Sequence, residues 1–104
     1  MKLSICSDVF GKIPFGEMLD KVKAYGIGAV EITTGGWGGC HYVPSARDLL
    51  DNPDKLQKFK DELDKREIAI SALNCSGNPL VYNPMGKAHS KTIHDTAILA
   101  GNSV

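Results

Sequence analysis

The residues best suited to chemistry lie in two short stretches, each placed after an apolar run. Asn74-Cys75-Ser76-Gly77-Asn78 follows Ile68-Ala69-Ile70-Ser71-Ala72-Leu73. Trp37 and His41 are carried on glycines after Val30-Glu31-Ile32. Asn and Ser side chains hydrogen-bond hydroxyls, which suits a polyol, although the same groups can cap their own loop instead. An indole offers a flat apolar face to pack on while an imidazole gives or takes a proton. The plainer alternative is a Trp folded back over the structure and a solvated His. No cation or helix N-terminus adjoins Cys75 in sequence, so a nucleophilic role is not expected of it. Glu31 is a lone carboxylate in an apolar run, and uncompensated burial would be costly. It needs a partner or an exposed strand end.

Zinc is not expected on Cys40, His41, His89 and His94. His89 and His94 are five apart, whereas neighbours on a helix face are three or four apart. A closed zinc site takes four ligands, and no such cluster is visible.

Helices and strands must position these groups. Lys2 to Cys6 reads as a first strand. Pro14 suits the start of a helix on which Phe15, Met18, Leu19, Val22 and Tyr25 form one apolar stripe, with Gly26 as its stop. Gly28 to Thr33 reads as the second strand. Ser45 caps a short turn through Leu50, and Asn52 caps a helix with Pro53 at its first position and Leu56, Phe59 and Leu63 inward. The run from Ile68 reads as a third strand buried on both faces. Pro84 or Lys87 opens a last helix closed by Gly101.

The bulk numbers limit what this chain can be. With 104 residues, 42% of them apolar, it is one domain or less. Twelve basic and twelve acidic residues cancel, which gives no electrostatic case for nucleic acid or an anionic membrane. No apolar run approaches the roughly 20 residues of a membrane span. The start, Met1-Lys2-Leu3-Ser4-Ile5-Cys6, is too soon polar for a secretory signal. Three widely spaced cysteines argue against a disulfide framework and for the cytoplasm.

The order β-α-β-α-β-α predicts parallel strands joined by crossovers. An open sheet and a (β/α)8 barrel both satisfy it. No Gly-x-Gly-x-x-Gly joins a strand to a helix and no Walker sequence is present, which tilts the expectation towards a TIM-barrel type.

The Val-Glu-Ile strand, the Gly-Gly-Trp-Gly loop and Ile70-Ser71-Ala72-Leu73-Asn74-Cys75-Ser76-Gly77-Asn78-Pro79-Leu80 resemble the xylose-isomerase-like barrel family of sugar and sugar-phosphate isomerases and epimerases. Ala97-Ile98-Leu99-Ala100-Gly101 is similar to the end of that family's third helix. The resemblance runs over residues 2–101, and it departs where relatives often carry a His, here Val81-Tyr82. It implies that residues 1–104 are the N-terminal part of such a barrel, about three of its βα units, since a whole barrel takes about 250 residues.

The resemblance also implies a function: metal-assisted proton abstraction next to a carbonyl. The expected divalent metal (manganese, magnesium, cobalt or zinc) would be held by residues outside this chain. On this chain it implies a sugar or polyol site drawn from Glu31, Trp37, His41, Asn74, Cys75, Ser76 and Asn78. Glu31 would face the sugar or hold a neighbouring loop. The alternatives are a keto-polyol dehydratase, which shares the early steps, or an inactive chain that self-associates. Self-association is expected because three strands cannot close a barrel, leaving open edges and part of an apolar face carrying Leu3, Ile5, Val30, Ile32, Ile70 and Leu73 wet.

Overall fold

A computed structural model describes residues 2–37, 42, 43 and 45–102. Its elements are β1 (Ser4–Cys6), a 3-10 turn (Ser7–Phe10), α1 (Phe15–Ala24), β2 (Ala29–Gly36), α2 (Ala46–Asp51), α3 (Pro53–Asp64), β3 (Ala69–Ser76) and α4 (Pro84–Asn102). The strands are parallel and lie in the order β1-β2-β3. Alternation forces this arrangement, because two parallel strands in one sheet need a crossover between them.

The helical stripes seat the helices. Met18, Leu19 and Val22 of α1 are fully buried, as are Val30 and Ile32 of β2, and Leu49, Phe59, Leu63 and Leu99 join them from α2, α3 and α4. Tyr25, the last member of the α1 stripe, stays exposed. It already lies beyond the helix, where Gly26 turns the chain at φ +74°. Ser45 caps α2 by accepting from the Asp48 amide at 3.1 Å. Asn52 precedes α3 but caps nothing there. Its Nδ2 donates backwards to the Asp48 carbonyl and carboxylate at 2.8 and 2.7 Å, tying the end of α2 to the start of α3. Arg66 joins α3 to α1, donating to Glu62 and Asp20, each at 2.7 Å.

Two irregularities set the sheet. Ala29 and Val30 pair with Ala69 and Ile70, but Glu31 pairs with Ala72, leaving Ser71 as an extra residue on β3. Three pairs later Thr33 matches Asn74 while Gly35 matches Cys75, so Thr34 is an extra residue on β2. The two bulges have opposite sense and cancel. Between them β3 changes parity, so Ile70, Leu73 and Cys75 all point towards the helices although the spacing is not two throughout. Ser71 and Ala72 are both left exposed, and the Ser71 hydroxyl meets that of Ser4 at 2.5 Å.

This architecture corrects the expected fold class. The described residues form a small α/β domain with an open three-stranded parallel sheet and four helices, not a part of a (β/α)8 barrel. Local alternation is common to both folds. Closure depends on pairing between distant strands, which no local pattern carries, and the missing nucleotide fingerprint argues only against nucleotide-binding open sheets. The face away from the helices differs as well. A barrel interior is filled with bulky branched side chains, whereas this face presents Ser4, Cys6, Ala29, Glu31, Ala69, Ala72 and Asn74. Two further expectations fall with it. β3 is not buried on both faces, with Ala69, Ser71, Ala72 and Ser76 exposed. Ile5, Val30, Ile32, Ile70 and Leu73 belong to the helix-covered core, so of the residues expected to be wet only Leu3 is exposed.

Candidate functional site

The C-terminal ends of β2 and β3 carry the candidate residues, and one glycine fixes their relation. Gly36 has φ +80°, and a Cβ there would lie 1.7 Å from the Ser76 carbonyl oxygen. Only glycine lets the two backbones approach this closely. The next residue uses that approach, as the Trp37 amide donates to the Ser76 carbonyl at 2.7 Å. The Trp37 side chain is 68% exposed and meets the ring of His89 edge to face, with centroids 5.7 Å apart and planes at 85°.

His89 comes from the second turn of α4 and is 9% exposed. The loop after β3 lies directly on its ring. A Cβ on Gly77 would sit 2.6 Å from its Cγ and Nδ1, and the Asn78 amide donates to Nδ1 at 3.0 Å. The loop is fastened again at its far end. Asn83 accepts from the Gly86 amide at 2.8 Å, and Gly86 has no room for a Cβ beneath the Val81 carbonyl. Between these points Leu80, Val81, Tyr82 and Met85 are exposed, beside an open cleft of about 620 Å³ lined by residues 79–84, Gly86, Lys87 and Ser90.

The residues singled out in the sequence divide in space. Asn74 and Ser76 share the open face, and the Ser76 hydroxyl donates to Asn74 Oδ1 at 3.1 Å. Trp37 is tied to the same strand end by the hydrogen bond from its amide to the Ser76 carbonyl. Asn78 has its side chain engaged in its own loop, accepting from the Leu80 amide at 3.0 Å. Cys75 points the other way, into the helix layer. Burial pushes its thiol pKa up, against a hydrogen bond with Thr96 that lowers it. Thr34 donates to the Asn74 carbonyl at 3.2 Å and shares a 2.8 Å hydrogen bond with Thr96, so a small buried hydroxyl cluster supports the strand ends from below.

Glu31 lies on the open face in register with Cys6 and Ala72. It is half-buried and forms no ion pair among the described residues. Further along that face, the Thr33 hydroxyl donates to Asp8 of the 3-10 turn at 2.8 Å. His41 lies outside the described residues. Among the described residues no three of His, Cys, Asp and Glu converge as metal ligands. Asp8 is engaged by Thr33, His89 Nδ1 by an amide and Cys75 by Thr96. The divalent metal that the sequence resemblance implies is expected on residues outside this chain, so these groups would not hold it.

His89 is the residue that reading the motifs missed as a site member. It is 52 positions from Trp37 and carries no local motif. One topological signal was available: a crossover helix begins near the C-terminal edge of the strand it follows, so its first two turns face that edge.

No family model matches the chain, and no solved structure matches it. It is similar to the uncharacterized protein YfiH of Bacillus subtilis (strain 168), 41% identical over 101 residues. That alignment covers 97% of this chain and 32% of the relative, so the chain spans about a third of the length of the curated relative it matches. No helix among the described residues is long and apolar enough to cross a membrane.

Proposed function

We propose that this chain supplies the sugar-binding part of a sugar or sugar-phosphate isomerase or epimerase. The carrying observation is the exposed indole of Trp37, whose amide donates to the Ser76 carbonyl and whose ring meets His89, at the same strand ends that carry the Asn74–Ser76 pair. An indole face covers the C–H face of a pyranose or polyol, while amide and hydroxyl groups take its hydroxyls. The strand and loop residues resembling the xylose-isomerase-like family support the same reading. In that reaction class a proton next to a carbonyl is removed and returned, and a keto-polyol dehydratase begins in the same way. The role of the residues described here is to bind and orient the substrate, and the acid–base groups belong elsewhere in the full enzyme. The cytoplasm is the compartment this reading implies.

Trp37 is the single tryptophan, so intrinsic fluorescence reports on the site directly. Titration with D-xylose, D-fructose and myo-inositol should give a saturable change with at least one of them, weakened by Asn74→Ala. A flat response to all three would sink the proposal. A second reading, self-association without activity, draws on the edge strands β1 and β3, each of which pairs on one side only among the described residues.

A further inference from the structure

The Asn78 amide donates to Nδ1 of His89 at 3.0 Å. A nitrogen that accepts from an N–H carries no proton of its own, so the neutral ring holds its hydrogen on Nε2. Nε2 makes no hydrogen bond among the described residues. It is also not sealed away, since the one buried side-chain polar atom without a partner there is the Ser7 hydroxyl. The ring cannot turn over without losing the Asn78 bond. Gly77 presses on it from the loop side and Trp37 packs against it. The loop therefore fixes an unpartnered N–H donor, not fully sealed from solvent, on a nine-tenths buried ring next to an exposed indole.

We infer that His89 is a ligand-recognition residue of this site, presenting Nε2–H to a hydroxyl or carbonyl oxygen of a sugar packed on Trp37. The inference rests on the sugar-binding reading above and adds to it a donor with a defined tautomer. It selects for ligands with an acceptor oxygen at the rim of the indole, and against deoxy analogues lacking that oxygen.

The test begins on the free protein. Long-range proton–nitrogen NMR correlations of the imidazole should show Nδ1 unprotonated and Nε2 protonated, and the opposite tautomer overturns the inference. Adding D-xylose should then shift the His89 Nε2 signal together with Trp37 fluorescence. A Trp37 response that leaves His89 unmoved overturns the donor role while the sugar reading stands. No Trp37 response to D-xylose, D-fructose or myo-inositol overturns the sugar reading and the donor role with it, whatever tautomer the ring shows. Two variants separate the ring's two jobs. His89→Asn puts an acceptor near the place of Nδ1 but removes the outer donor, and should weaken xylose binding about tenfold, the scale of one neutral hydrogen bond. His89→Gln can reach the position of Nε2 with an amide and should bind within about threefold of the parent. Thermal melts confirm that both fold, and the parent-protein NMR decides the matter if either does not. Parent-like affinity in the Asn variant also overturns the inference.

Discussion

The guanidinium of Arg47 on α2 donates to the carboxylate of Asp95 on α4 at 2.6 Å, with the Asp95 side chain 6% exposed and Arg47 41%. That hydrogen bond from Arg47 holds the Asp95 carboxyl below the usual carboxylate range, against the upward push of burial. A carboxylate whose folded pKa is depressed adds stability above its unfolded value, about 3.9. The contribution is lost as pH falls through the lower folded value. Arg47→Met should therefore destabilise the protein at neutral pH, by a few degrees in Tm. The gap to the parent should close on acidification. Parallel pH profiles for the two proteins would refute this.

Gly36→Ala should be among the most damaging single-methyl additions. A left-handed backbone costs a non-glycine residue roughly 1–3 kcal/mol, and here the methyl also strikes the Ser76 carbonyl. Gly26→Ala is the control, with φ +74° but open space around the new Cβ. Urea denaturation should give a cost of about 1 kcal/mol for Gly26→Ala, and distinctly more for Gly36→Ala. Equal costs would mean that β2 and β3 can part at no expense.

Cys75 should label slowly. Its raised thiol pKa reduces the thiolate, which is the reacting form. Alkylation followed by peptide mass spectrometry should show Cys75 lagging far behind its own rate in urea, and speeding up as pH rises. Thr96→Val removes a hydrogen bond that lowers this pKa and should slow labelling further. Native labelling at the unfolded rate would contradict the placement of Cys75 beneath the sheet.

Association, if it occurs, should run through strand edges or the exposed Leu80–Met85 loop, because the apolar sheet face is already covered by helices. Light scattering at micromolar concentration reads the mass. A dimer formed through the loop should weaken with Tyr82→Ser, which removes a fully exposed aromatic ring. A dimer indifferent to that change and to a Lys placed on β3 would point to another surface.

Much of the scaffold was legible because its signals are local. Met18, Leu19 and Val22 repeat at helical spacing, Gly26 stops α1 and Ser45 caps α2. The faces of β3 were not legible. Ile70 to Leu73 is a step of three, which looks like loss of alternation until a bulge at Ser71 restores it. Sheet closure was misjudged because it depends on which strands end at an edge. Trp37, Asn74 and Ser76 were singled out by residue type and position after a strand, and all three fall at the C-terminal strand ends. His89 joins them only through the return of α4, and Cys75 leaves them because β3 alternates.

The bulges at Thr34 and Ser71 mark where each strand can change length without disturbing the strand ends. Each is an extra residue outside the pairing, so deleting Ser71 alone leaves Glu31 opposite Ala72 and Gly36 opposite Ser76. Deleting Thr34 alone likewise leaves Thr33 opposite Asn74 and Gly35 opposite Cys75. A deletion among the paired residues between the bulges would instead shift the ladder beyond it by one and move the carbonyl that Trp37 uses. Among relatives of this chain, gaps in these two strands should therefore fall at the positions of Thr34 and Ser71, a tolerance written in chain length and not in residue type.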